Sequence, residues 1–239
     1  MPKNGHTAME EPRAKTVMTI DIGGSSVKIL TNAGGEKRKF KSGPEMTPQD
    51  MVDGVHKLAE GLSFDAVSIG YPGPVRNNRP TKEPENLGHG WVDFDFAAAF
   101  SAPVRMVNDA LMQAIGSYEG GRMLFIGLGT GLGSALVLEK VAQPLELAHL
   151  PYRKGKTFEE YVGEHGLKER GAKKWRKSVF DVIARLDAAI LPDYIVIGGG
   201  NVDDLEELPA KCRRGSNANA FEGGFRLWTD ESLVIHREG

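Results

Sequence analysis

The chain has 239 residues, 40% of them apolar and 26% charged, which at roughly 100–200 residues per domain allows one large soluble domain or two small ones. Lys and Arg number 30 against 32 Asp and Glu, a formal charge of −2, so no whole-molecule field recruits nucleic acid or anionic lipid and any anion site must be local. A single cysteine, Cys212, excludes an intramolecular disulfide and a zinc site built on several thiolates.

Met1 to Thr16 is polar and charged, reads as a disordered tail, and lacks the apolar segment of a secretory signal. Val17 to Leu30 is apolar strand, glycine turn, apolar strand, a hairpin turning at Gly23 and Gly24. Lys37 to Lys41 carries four basic residues and suits only an edge strand. Thr47 is placed to cap a helix running to about Glu60, with Val52, Val55, Leu58 and Ala59 on one face. Ala66 to Gly70 reads as a buried strand, Tyr71 to Gly90 as a proline-rich loop, Phe94 to Phe100 as a short helix and Val104 to Val107 as another buried strand.

The second half repeats the theme: a helix from Ala110 to about Tyr118, a strand Met123 to Leu128, a glycine turn, and a strand Ser134 to Leu138. Met123 to Leu138 is uncharged, but its 16 residues with four glycines fall short of the roughly 20 that span a membrane. Thr157 to Leu191 reads as a long helical region broken near Gly166 and Gly171, because an interior glycine costs about 1 kcal/mol. Tyr194 to Ile197 is a buried strand ending in Gly198, Gly199 and Gly200, after which Asn201 and Asp203 suit the cap of a last short helix. The two glycine hairpins suggest an internal duplication with its joint near Asn108. The expected domains are a tail (1–16), an N-terminal α/β lobe (17–108) and a C-terminal α/β lobe (109–239).

Glycine supplies 30 residues, about 13% against an average of about 7%, and many fall in motifs. In Asp21-Ile22-Gly23-Gly24-Ser25-Ser26-Val27-Lys28 the glycines let backbone N–H groups approach an anion, Ser25 adds a hydroxyl donor and Lys28 a positive charge. Asp21 suits Mg²⁺, an ion that keeps several waters and takes one or two carboxylates. The alternating glycines of GLGTGLGS (127–134) weaken a plain strand, so close approach of the backbone to phosphate is the more economical account. Neither the dinucleotide fingerprint nor the P-loop fits: Leu132 stands where the former needs glycine, and Leu150 where the latter does. Asn108-Asp109 ends a buried strand just before a helix. Asp109 there suits a helix cap or a general base taking a proton from a substrate hydroxyl. Glu146 and His149, three apart, present an acceptor and a tunable donor to a polyol, and Asn86 with Trp91 offers an amide and an aromatic platform for a sugar face.

In this order DIGGSSVK, YPGPV, Asn86 with Trp91, Asn108-Asp109, GLGTGLGS, ELAH and IVIGGGN resemble the ROK-type sugar kinases of the actin/Hsp70/hexokinase superfamily, and within them the polyphosphate glucokinases. The resemblance runs from about Thr16 to Asp230. It implies two ribonuclease-H-like lobes of α/β class with substrate in the cleft between them. It also implies a Mg²⁺-dependent kinase transferring a phosphoryl group from polyphosphate or ATP to the 6-hydroxyl of glucose, without the zinc cluster of other ROK proteins. Asp109 is then the base, and Asn86, Asn108, Glu146 and His149 hold the sugar. Gly23, Gly24, Ser25, Thr130 and Gly131 line the phosphate donor, Asp21 lies near Mg²⁺, and Gly199, Gly200 and Asn201 form the turn that receives adenosine. Ala148, where glycine is usual, and Ser25, where threonine is commoner, bear on sugar specificity.

Residues 153–177 hold nine basic side chains against four acidic, a stretch suited either to a long polyanion or to a solvated helical face. Two alternatives stay open: a kinase for another hexose or an amino sugar, and a non-catalytic sugar-binding protein on the same scaffold. The expected protein is cytoplasmic and binds neither nucleic acid nor membrane; a homodimer is one assembly the sequence allows.

Overall fold

The computed structural model describes residues 16–216 and 218–235. Of the expected N-terminal tail, all but Thr16 lies outside these residues.

The first half contributes strands β1 (Val17–Ile22), β2 (Ser26–Thr31), β3 (Arg38–Lys41), β4 (Ala66–Tyr71), the two-residue pair β5 (Val75–Arg76) and β6 (Arg79–Pro80), and β7 (Val104–Asn108). Between them lie helices α1 (Pro48–Leu58) and α2 (Phe96–Phe100). The sheet order is β3-β2-β1-β4-β7, with β1, β2 and β3 antiparallel and β1, β4 and β7 parallel. β4 is buried along its whole length, as expected of a parallel strand covered on both faces. The basic β3 does sit at the edge. Thr47 starts α1 through a capping box: its hydroxyl accepts from the Asp50 N–H at 3.2 Å and the Asp50 carboxylate accepts from the Thr47 N–H at 2.9 Å, satisfying two N–H groups that a helix start leaves orphaned.

The second half contributes α3 (Asp109–Ser117), β8 (Arg122–Leu128), β9 (Leu132–Leu138), β10 (Val141–Leu145), α4 (Glu159–Val162), α5 (Glu164–Arg170), α6 (Ala172–Ile190), β11 (Tyr194–Gly198), β12 (Cys212–Arg214), α7 (Asn219–Thr229) and β13 (Val234–Ile235). Its sheet is ordered β12-β11-β8-β9-β10-β13. β8, β9 and β10 are antiparallel, while β8, β11 and β12 are parallel. Setting β13 aside, this is the connectivity of the first sheet over again, so the duplication suggested by the two glycine hairpins extends to ten strands. Each half is a ribonuclease-H-like lobe, and together they make the actin-like ATPase fold.

The long helical region breaks at Gly163 and Gly171, not at Gly166, which lies inside α5. The reason is steric: a Cβ on Gly163 would stand 2.8 Å from the Thr130 carbonyl oxygen, so the chain bends where it touches the second glycine loop. α6 buries Trp175, Val179, Val182, Ile183 and Leu186, the periodic face its sequence displays, and the Trp175 indole donates to the Val162 carbonyl at 2.8 Å.

The two helices that follow the fifth strand of each lobe cross over. α3 leaves the first sheet and packs on β8 and β9 of the second, while α7 leaves the second sheet and packs on β1 and β4 of the first. They meet at Gly116 and Gly223, where a Cβ on either would run into the other helix's backbone. Side chains fasten the crossing. Ser68 donates to the Gly224 carbonyl at 2.6 Å, the Trp228 indole donates to the Ser68 hydroxyl at 2.9 Å, and Arg226 donates to the Ile115 and Tyr118 carbonyls at the end of α3.

Candidate active site

The β1–β2 turn closes with the Gly23 N–H bonded to the Ser26 carbonyl at 3.0 Å. Among the described residues, the N–H groups of Gly24 and Ser25 are left without a backbone partner, and both residues are exposed. Asp21 lies opposite Lys28 in the ladder, and their side chains form an ion pair at 3.0 Å. Asn86 rests against this turn, its Cβ 3.4 Å from where a Cβ on Gly24 would stand. The first glycine turn and the expected sugar loop are thus neighbours.

The second loop is more heavily braced. Gly129 N–H bonds to the Gly131 carbonyl at 3.2 Å, and Glu164 N–H donates back to the Gly129 and Thr130 carbonyls. The Glu159 carboxylate accepts from the Leu132 N–H at 3.2 Å and lies directly against Gly131. This leaves the N–H groups of Thr130 and Gly131 as the open donors of the loop, again among the described residues. Glu159 is a residue that sequence reasoning passed over: TFEEY shows a helix start, and only folding brings that start to the glycine loop.

Asp109 sits where the two halves join. It is the first residue of α3, directly after β7. Gly70, near the end of β4, leaves room for the Met112 side chain, and a Cβ there would lie in ordinary contact, 3.6 Å, with the Asp109 Cα. On the other side a Cβ on Gly133 would come within 2.8 Å of the Ala110 Cβ, so the start of α3 abuts the second loop. The helix cap is Asn108: its side-chain oxygen accepts from Ala110 N–H at 3.0 Å and Leu111 N–H at 3.2 Å, while its amide donates to the Gly73 carbonyl at 3.2 Å. Asp109 also accepts from Ala110 N–H at 2.7 Å. The residue as a whole is half-buried, with its carboxyl end set among packed atoms. That burial, with the charge of Asp21 and to a smaller degree that of Glu146, pushes its pKa up to about 7 against the lowering effect of the backbone N–H. A pKa near neutrality is what a general base needs in order to accept a proton and later release it.

Glu146 and His149 stand 3.7 Å apart, both exposed, on the short turn after β10. One expected contact is absent: Trp91 is fully buried, packed between Tyr71 and Phe96, so it is a core residue and presents no platform to a sugar. The turn after β11 also differs from expectation. Residues 200–204 form a 3-10 turn with no side-chain cap, because the Asn201 amide donates to the Gly129 carbonyl at 3.0 Å. Gly199, at φ +85, has no room for a Cβ against Leu128. The GGGN turn is therefore locked to the second glycine loop, with Gly200 open beside it.

Many charges of the basic segment are already matched. Arg153 pairs with Asp181 at 3.1 Å, Lys156 with Glu169 at 3.6 Å, Lys168 with Glu164 at 2.5 Å and Arg176 with Glu206 at 2.5 Å. Asp181 and Glu206 lie outside residues 153–177, and Asp181 is shared with Arg185 at 2.9 Å, so these basic side chains sit in surface ion pairs as a solvated face would have them.

Among the described residues no group of three or more His, Cys, Asp or Glu side chains is placed to hold a metal ion, and no helix is long and apolar enough to cross a membrane.

Comparison with known proteins agrees with this architecture. Polyphosphate glucokinase of Mycobacterium tuberculosis (strain H37Rv) is 26% identical over 226 residues, covering 84% of each chain. Its namesake in Mycobacterium leprae (strain TN) is 27% identical over 206 residues, covering 76% of this chain and 62% of the relative. Among solved structures, the inorganic polyphosphate/ATP-glucomannokinase of Arthrobacter sp. strain KM superposes with a TM-score of 0.76 at 21% identity, covering 88% of this chain and 97% of that one. A ROK family glucokinase of Streptomyces griseus, in complex with glucose and AMPPNP, gives 0.74 at 17% identity, covering 90% and 99%. The ROK family profile matches residues 17–143, more than half of the chain, and on that match the protein belongs to the ROK family.

Proposed function

We propose that this protein is a sugar kinase that transfers a phosphoryl group from polyphosphate or ATP to the 6-hydroxyl of glucose. The observation that carries the reading is Asp109, a carboxyl with a near-neutral pKa at the joint of the two lobes, beside the second glycine loop and facing Asp21 of the first hairpin. The names of the mycobacterial relatives support glucose and polyphosphate as the substrates.

Asp109 accepts the proton as the sugar oxygen bonds to phosphorus and the bond from phosphorus to the leaving phosphate breaks. Such transfer asks little covalent chemistry of the protein, so positioning and charge stabilisation dominate. The open N–H groups of Gly24, Ser25, Thr130 and Gly131 take phosphate oxygens, in the manner of a backbone nest. Lys28 adds positive charge and fixes Asp21. Glu146, His149, Asn86 and the remaining amide hydrogen of Asn108 hold the sugar hydroxyls, while Gly199, Gly200 and Asn201 border the far end of the donor.

The residues fit Mg²⁺: Asp21 is a partly exposed carboxylate facing Asp109, and this ion is usually held by one or two carboxylates with water and substrate phosphates. When bound, Mg²⁺ neutralises charge on the donor phosphates. The test is a coupled assay of glucose 6-phosphate formation with ATP and with polyphosphate in parallel. Product from at least one donor is expected. No product from either overturns the reading in favour of another sugar or a binding protein.

A further inference from the structure

A cavity of about 310 Å³ opens beside the site just described, walled by β7, the β5–β6 hairpin, the first turn of α3 and strands β10 and β13. Two of its lining residues, Asn108 and Glu146, belong to the proposed sugar site. The rest of its wall is dominated by Val75, Met106, Val107, Leu111, Pro144 and Ile235.

Several polar side chains on the wall are turned to the backbone. Asn78 accepts from the Met106 N–H at 3.3 Å, Thr81 donates to the Pro74 carbonyl at 3.3 Å, and Asn108 is occupied by its helix cap. The cavity therefore offers mainly apolar surface, interrupted by Arg76, Asn77 and Gln143, with the Glu146 carboxylate at the edge it shares with the sugar site. A mostly apolar concavity with a few fixed polar groups is the usual make-up of a small-molecule site.

Resting on the kinase reading, we infer that the acceptor site extends into this cavity, and that the preferred acceptor is a hexoside with an apolar or aromatic aglycone on its anomeric carbon. The reacting hydroxyl meets Asp109, so whatever enters the cavity belongs to the non-reacting part of the acceptor. In a hexopyranoside the anomeric carbon is the position that carries apolar groups. An aryl ring there exchanges water for the partly exposed Val75, Pro144 and Ile235.

The experiment is calorimetric titration of the full-length protein with glucose and with phenyl glucoside in both anomeric forms, accompanied by the phosphorylation assay on the same compounds. One phenyl glucoside should bind at least about tenfold more tightly than glucose, the scale expected from burying a ring's apolar area. Thr81→Trp and Gln143→Phe, which fill the cavity from opposite walls, should each bring the affinity ratio towards one. A ratio near one in the wild type, or a ratio unmoved by both substitutions, overturns the inference whether or not glucose is phosphorylated. Loss of turnover on every acceptor with the affinity ratio intact would instead count against the kinase reading alone.

Discussion

Asp109 carries opposite consequences for catalysis and for stability. With a folded pKa of about 7 against a usual value of 3.8, it binds a proton more tightly in the native chain than in the unfolded one. Between about pH 4 and pH 7 the native state therefore holds more protons, and stability declines as pH rises through this window. Asp109→Asn removes the penalty: its melting temperature should exceed that of the wild type at about pH 8, with the gap closing below about pH 4. The same variant should lose turnover by about 10²–10⁴-fold, the usual contribution of a general base, while titration shows sugar affinity retained. In the wild type, kcat/KM should rise with pH through about 7, as the carboxyl loses its proton. A flat profile across that range would remove Asp109 from the base role. Lys28→Met, which leaves Asp21 without its 3.0 Å partner, should raise the KM for the donor more than it alters the KM for the sugar.

Elements with a local code were legible in advance. The capping box at Thr47 marks the start of α1, and Thr47→Ala should cost about 1 kcal/mol of unfolding free energy, read from the shift of a denaturation midpoint. The glycine hairpins and the buried strands β4, β8 and β11 stand out by apolar run and turn chemistry, as does the helical face of α6. What escaped is set by distant contacts. β10 carries Pro144, which argues against a strand, yet it pairs along β9 from Val141 to Leu145. α7 contains Gly223 and Gly224, residues that read as helix breakers until Met112 and Thr19 are seen pressed against them. The break at Gly163 is dictated by Thr130, more than thirty positions earlier in the chain. For the site, the motifs pointed to Asp109, Glu146 and both loops. The burial of Trp91, the capping by Asn108 and the brace from Glu159 depend on packing that no spacing encodes.

At the scale of the whole molecule, the joint is a pair of helices in backbone contact. A methyl group on Gly223 would meet the Met112 carbonyl, and neither helix can yield without dragging its sheet. Gly223→Ala should therefore destabilise by about 1–3 kcal/mol through overpacking. On the proposed kinase reading, in which the lobes close over the sugar about this crossing, it should also lower turnover. Thermal unfolding and the coupled assay on one preparation test both outcomes.

The exchange of helices makes each lobe depend on the other. Half a chain would leave one face of its sheet uncovered, because α7 packs on β1 and β4 and α3 on β8 and β9. Each lobe therefore completes its packing only with a helix drawn from the other half of the chain.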